Sequence, residues 1–147
     1  MTVPDDPIEI IVMPEFQRGV TVAYLNPPGP LDEGQKSFYA VAPLPSDWSD
    51  EQVSSFLREY NLLSIQEHTM HEAMPGHHLQ LALSNRYPSV LRSVLRSGPF
   101  VEGWAVYSAR VMIDAGYLGN RSADASHHAQ VVLAGGYQRH HRSGYSR

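Results

Sequence analysis

The stretch His71-Glu72-Ala73-Met74-Pro75-Gly76-His77-His78 (HEAMPGHH) decides how this chain is read. It holds three histidines and a carboxylate, the donor types that a catalytic metal takes, with a helix breaker between them. A catalytic zinc needs three neutral-histidine or carboxylate ligands, one open position for water, and a nearby carboxylate to accept the proton of that water. The common solution places two histidines one helical turn apart, at i and i+4, with Glu beside the first. Position 75, four after His71, is proline, so that solution is absent.

His71 and His77 lie six positions apart. On a regular helix that is about 240° of rotation and about 9 Å of rise, too divergent for one shared ion. The helix must therefore be irregular there. Pro75 has no N–H, and its ring meets the carbonyl four residues back, which is that of His71. Gly76 tolerates backbone conformations closed to other residues. Pro75-Gly76 is thus expected to bend the chain and bring His77 back beside His71. His78 falls on the same face of an ideal helix as His71, but about 10.5 Å along it, which makes it the poorer ligand. His68, three positions before His71, is expected to support a ligand or to pack in the core.

Upstream of this stretch, Val53, Phe56, Leu57, Tyr60, Leu63 and Ile65 recur at helical spacing. Ser49, followed by Asp50, Glu51 and Gln52, supplies an N-cap and an acidic first turn. One long helix is expected from there to His71. Further back, residues 8–13 (IEIIVM), 20–25 (VTVAYL) and 36–41 (KSFYAV) are short β-branched and aromatic runs separated by turn chemistry such as NPPGP at 26–30. Downstream, an apolar stripe resumes over Leu79–Leu83. Another helix opens at Tyr87-Pro88 and closes at Ser97-Gly98-Pro99, and a last one spans about Phe100–Ala115. Gly116 to Gly119 then stops it. The order, strands over about 8–42 and helices over about 50–116, predicts an α+β domain with the histidine stretch on its helical half.

A chain of 147 residues can bury a core, but it is short for a complete metallohydrolase, so a partial domain is expected. A net charge of −4 without a basic cluster argues against nucleic acid and anionic membrane surfaces as partners. Without cysteine, histidine and carboxylate are the only strong metal ligands available. The N-terminus has no basic segment leading into a long apolar run, which predicts an unexported, cytoplasmic protein.

HEAMPGHHLQ, then LRS, then FVEGWAVYSARV at 100–111 resemble the bacterial domain-of-unknown-function family 885, whose members carry HEAxPGHHxQ followed by an EGWAxY element. The resemblance extends back over the strands to about residue 8. It implies a zincin-like metallopeptidase whose third ligand is a Glu on a downstream helix, a role that falls on Glu102 beside His71 and His77. The implied chemistry is zinc-dependent hydrolysis of peptide or amide bonds by a metal-activated water, with Glu72 as general base. Peptides are the implied substrates, and a His/His/Glu set accepts other divalent ions too. Tyr107 is a candidate oxyanion stabiliser. Trp104 and Val106 read as core. Family members commonly carry an acidic residue where this chain has Ala109, so a carboxylate supporting a ligand is expected to be missing.

After Asn120 the text loses helical periodicity, and four of the eight histidines fall there, at 127, 128, 140 and 141. One choice of codons from Arg121 onward, read with its first base dropped, yields DPLMRLIMLKWYLRAVTNAIIDQAIH, an amphipathic helical pattern that resembles the family's own continuation. Residues 121–147 are therefore expected to be a frameshifted, non-native and disordered tail on a partial domain spanning 1–120. The alternative to an active hydrolase is a remnant that at most binds metal. A third option is a binding module that takes an extended peptide on the edge of the strand half.

Overall fold

The computed structural model describes residues 3–32 and 34–119. The expected boundary at residue 120 and the altered tail lie outside them. Three strands come first, β1 (Ile8–Val12), β2 (Ala23–Asn26) and β3 (Ser37–Val41). They form one sheet in the order β1-β3-β2. β1 runs parallel to β3, with Ile10 opposite Tyr39, and β2 runs antiparallel to it, with Leu25 opposite Tyr39. The second strand begins three residues later than its apolar run. Gly19, at φ 85°, turns the chain after a short 3-10 turn at Glu15–Gln17, and Val20 is left exposed.

Five helices follow among the described residues. The single helix expected from Ser49 to His71 is two, α1 (Asp50–Glu59) and α2 (Leu62–Glu72). Ser49 starts α1 as expected and completes a capping box, its side chain accepting from the Gln52 N–H while the Gln52 side chain accepts from the Ser49 N–H. The break comes from Asn61. Its side-chain oxygen caps the N–H groups of Leu63 and Ser64, and its amide donates to the Arg58 carbonyl. Periodicity alone runs through such a junction, because the spacing of apolar residues survives it.

Next come α3 (His77–Asn85), the short α4 (Val90–Val94) and α5 (Gly98–Asp114). Gly98-Pro99 opens α5 rather than closing the helix before it, since proline is well placed in a first turn where its missing N–H costs no bond. α5 stops as expected. Gly116, at φ 86°, lets its own N–H reach the Ile113 carbonyl at 2.9 Å and that of Tyr117 reach the Met112 carbonyl at 3.0 Å.

The helical half is held by α2 against α5. Met70 of α2 meets Ala109, Ile113 and Leu118, with Met112 packed on the group. Ala105, Ser108 and Ala109 line the buried side of α5, and such small side chains let two helices approach closely. Ala109 is thus a member of this apolar cluster in a region where a carboxylate would need a partner. The sheet joins the helices through His78, whose ring nitrogens meet Ser37 Oγ at 3.1 Å and the Asp6 carbonyl at 3.2 Å. Tyr39 and His68 add a second junction, their rings 6.4 Å apart. No described helix is long and apolar enough to cross a membrane.

Candidate metal centre

α2 ends at Glu72 and α3 begins at His77, so the four residues between them make the bend expected at Pro75-Gly76. The peptide bond between Met74 and Pro75 is cis. Gly76 has φ −74° and ψ −130°, a pair outside the regions open to residues with a side chain, in keeping with the expectation. Space excludes a side chain as well: a Cβ there would lie 1.8 Å from the His71 carbonyl oxygen and 2.5 Å from that of Met70. The chain therefore turns back directly against the end of α2, and the next residue, His77, stands beside His71.

The two imidazoles are nearly perpendicular, at 87°, with centroids 4.7 Å apart. Glu102, one turn into α5, completes the group. Its Oε2 lies 3.7 Å from His71 Nε2 and 3.6 Å from His77 Nε2, and one donor atom from each residue falls within 4.8 Å of the others. Two donors held at about 2.1 Å on a tetrahedron stand about 3.4 Å apart, so these separations suit a shared ion better than direct hydrogen bonds. The histidine side chains are 11 % and 10 % exposed, whereas that of Glu102 is 62 % exposed, which leaves the group open to solvent on the Glu102 side.

Electrostatics favour a neutral imidazole at His77. Burial pulls His77 down to about 4, with the neighbouring His71 acting in the same direction and Glu102 opposing it. A neutral ring is the form that binds a metal. The Nδ1 atoms of His71 and His77 are buried without a hydrogen-bond partner among the described residues. The donor set and its spacing thus fit a divalent ion.

Glu72 stays out of the ligand set. Its Oε2 accepts the backbone N–H of Leu25 in β2 at 2.8 Å, and its Oε1 lies 3.8 Å from His68 Nδ1. Burial raises its pKa, against the lowering influence of His71 and of the Leu25 N–H. His68, itself lowered by burial, lies beside Glu72, and its buried Nδ1 makes no hydrogen bond among the described residues. His78 faces Ser37 and Asp6, in keeping with its reading as the poorer ligand.

Of the remaining candidates, Val106 is 41 % exposed, so its expected core role is corrected: it lies on the solvent side of α5. Trp104 is only half-buried, and its indole N–H donates to the Pro75 carbonyl at 2.9 Å. A buried indole N–H demands such a partner, and that was the signal in the sequence. Tyr107 is 62 % exposed, its ring 6.1 Å from that of Trp104.

The chain is similar to a solved structure from Shewanella oneidensis, described as "a putative lipoprotein of unknown function", at 40 % identity and a TM-score of 0.64. The similarity covers 80 % of this chain and 20 % of that one, so the chain spans about one fifth of the length of its solved relative. No curated protein matches it. The family model for bacterial proteins of unknown function DUF885 matches residues 1–133, over both HEAMPGHH and the EGW element, and the chain belongs to that family.

Proposed function

We propose that His71, His77 and Glu102 hold a divalent metal ion, zinc first among candidates, and that the centre hydrolyses peptide or amide bonds. The observation that carries this reading is the convergence of the His71 and His77 Nε2 atoms on one carboxylate oxygen, at 3.7 and 3.6 Å. An ion bound there supplies Lewis-acid polarisation of a carbonyl and makes water a nucleophile near neutral pH.

The chain's own residues supply the rest. Glu72 is the proton acceptor: burial raises its proton affinity toward the working range of a general base. The Leu25 N–H holds its carboxylate in place. Glu72 accepts the proton of the attacking water and returns it to the leaving amine. Tyr107 takes no step in this scheme.

A second reading, a metal-binding unit without turnover, draws on the 62 % exposure of Glu102, because hydrolytic centres work best where water is excluded. Metal analysis of the purified chain together with Glu72→Gln separates the two. Hydrolysis of a peptide library that disappears in Glu72→Gln while zinc is retained supports the hydrolase. Bound zinc with no hydrolysis supports the second reading, and a zinc-free wild type after zinc loading overturns both.

A further inference from the structure

We infer that Trp104 is a positioning residue of the metal centre: its indole N–H holds the Pro75 carbonyl and so sets where His77 stands relative to Glu102. The inference rests on the metal reading of the site and adds a residue to it.

Trp104 is half-buried on α5, next to the fully buried Ala105. Its aromatic neighbour Tyr107 is 62 % exposed, and Val106 on the same helix is 41 % exposed. What distinguishes the residue is its bond to Pro75 at 2.9 Å, which spans 29 positions of sequence. The acceptor lies between the end of α2 at Glu72 and the start of α3 at His77, where no helical ladder is available to satisfy it.

The bend is therefore held on two sides. Gly76 sits against the His71 carbonyl, where even a methyl group has no room. The Pro75 carbonyl is bolted to α5 by the indole. His77 follows directly, so the two contacts fix the start of α3 against both helices that carry the other donors. Glu102 and Trp104 are two apart on α5. One turn of α5 delivers both the third donor and the contact that aligns the second. Removing the indole N–H frees the bend on the α5 side while leaving all three donors present.

The test compares the full chain, Trp104→Phe, and a variant in which the Trp104 side chain is replaced by benzothienylalanine, which keeps the bicyclic shape and lacks the N–H. Zinc affinity is read by competition with a chromophoric chelator, and site geometry by the visible absorption of bound Co2+. The expected result is a loss of zinc affinity of about tenfold or more in both variants, the scale at which partners behind metal ligands act. An altered Co2+ spectrum should accompany it, while the metal-free thermal midpoint of the benzothienylalanine protein stays close to wild type. Wild-type zinc affinity and an unchanged Co2+ spectrum in that variant would overturn the inference and leave the metal reading intact. A wild type that binds neither ion removes the metal reading and the inference with it. Should Trp104→Phe fail to fold, the benzothienylalanine protein still decides.

Discussion

Replacing Gly76 by alanine tests the geometry of the centre most severely. The added Cβ would sit 1.8 Å from the His71 oxygen, 2.4 Å from the His71 carbonyl carbon and 2.5 Å from the Met70 oxygen. All three are backbone atoms at the end of α2, so no side-chain rotation relieves the clash. Restoring an ordinary carbon–oxygen contact of about 3.3 Å requires the bend to move by about 1.5 Å. Metal–donor distances tolerate about 0.2 Å, so the donor that follows the bend, His77, would leave the site. Gly76→Ala should therefore lose zinc affinity by at least about 100-fold, the top of the range seen when partners behind metal ligands are removed. It should also lose stability at or beyond the upper end of the about 1–3 kcal/mol typical of overpacking. Gly103→Ala is the control. Gly103 lies inside α5, a Cβ there meets nothing within 4 Å, and alanine should stabilise the helix by up to about 1 kcal/mol. The readouts are urea unfolding of the metal-free proteins and zinc competition at neutral pH. A Gly76→Ala protein as stable as wild type, with unchanged zinc affinity, refutes the reasoning.

Further outcomes are expected. His77→Ala should abolish zinc binding with little loss of metal-free stability, whereas His78→Ala should retain all three donors and cost about 1–3 kcal/mol by leaving Ser37 and the Asp6 carbonyl without their partner. The reverse pattern in chelator competition and urea unfolding would mean that the ligand assignment is wrong. Burial raises the Tyr39 phenol above its usual 10.0. In the unfolded chain that phenol ionises near pH 10 while the folded one stays protonated, so its contribution to stability is complete below pH 10 and is lost as pH rises through the folded value. Tyr39→Phe should flatten the alkaline limb of the stability profile, and an unchanged limb in parallel urea melts removes the argument. Finally, the coding DNA beyond codon 120 should read, one base on, as an open amphipathic frame, and an early stop in that frame would dispose of the frameshift.

Much of the site was legible without coordinates because its cause is local. Proline four positions after His71 forbids a continuous helix, and a bend at that point is the simplest way to return His77 to its partner. The capping box at Ser49 and the glycine stop at Gly116 are likewise written within one turn of chain, and both formed. The junction at Asn61 was equally local but was hidden by an apolar rhythm that continues across it. Val106 misled for a related reason: an apolar residue on a helix says nothing about whether that face has a partner.

By itself, then, the sequence determined that strands precede helices and that the helix carrying His71 breaks at Pro75-Gly76. Only the tertiary structure decided that glycine at 76 stands against the His71 backbone carbonyl. It also decided that Glu72 is held by a strand N–H 47 residues away and that Trp104 grips the bend from 29 residues away. Caps, breakers and periodicity act over one turn of chain, so neighbours in sequence reveal them. Contacts across tens of residues exist only once the packing of α2 against α5 and the contacts of the sheet with α2 have set the distances, and no local pattern carries that information.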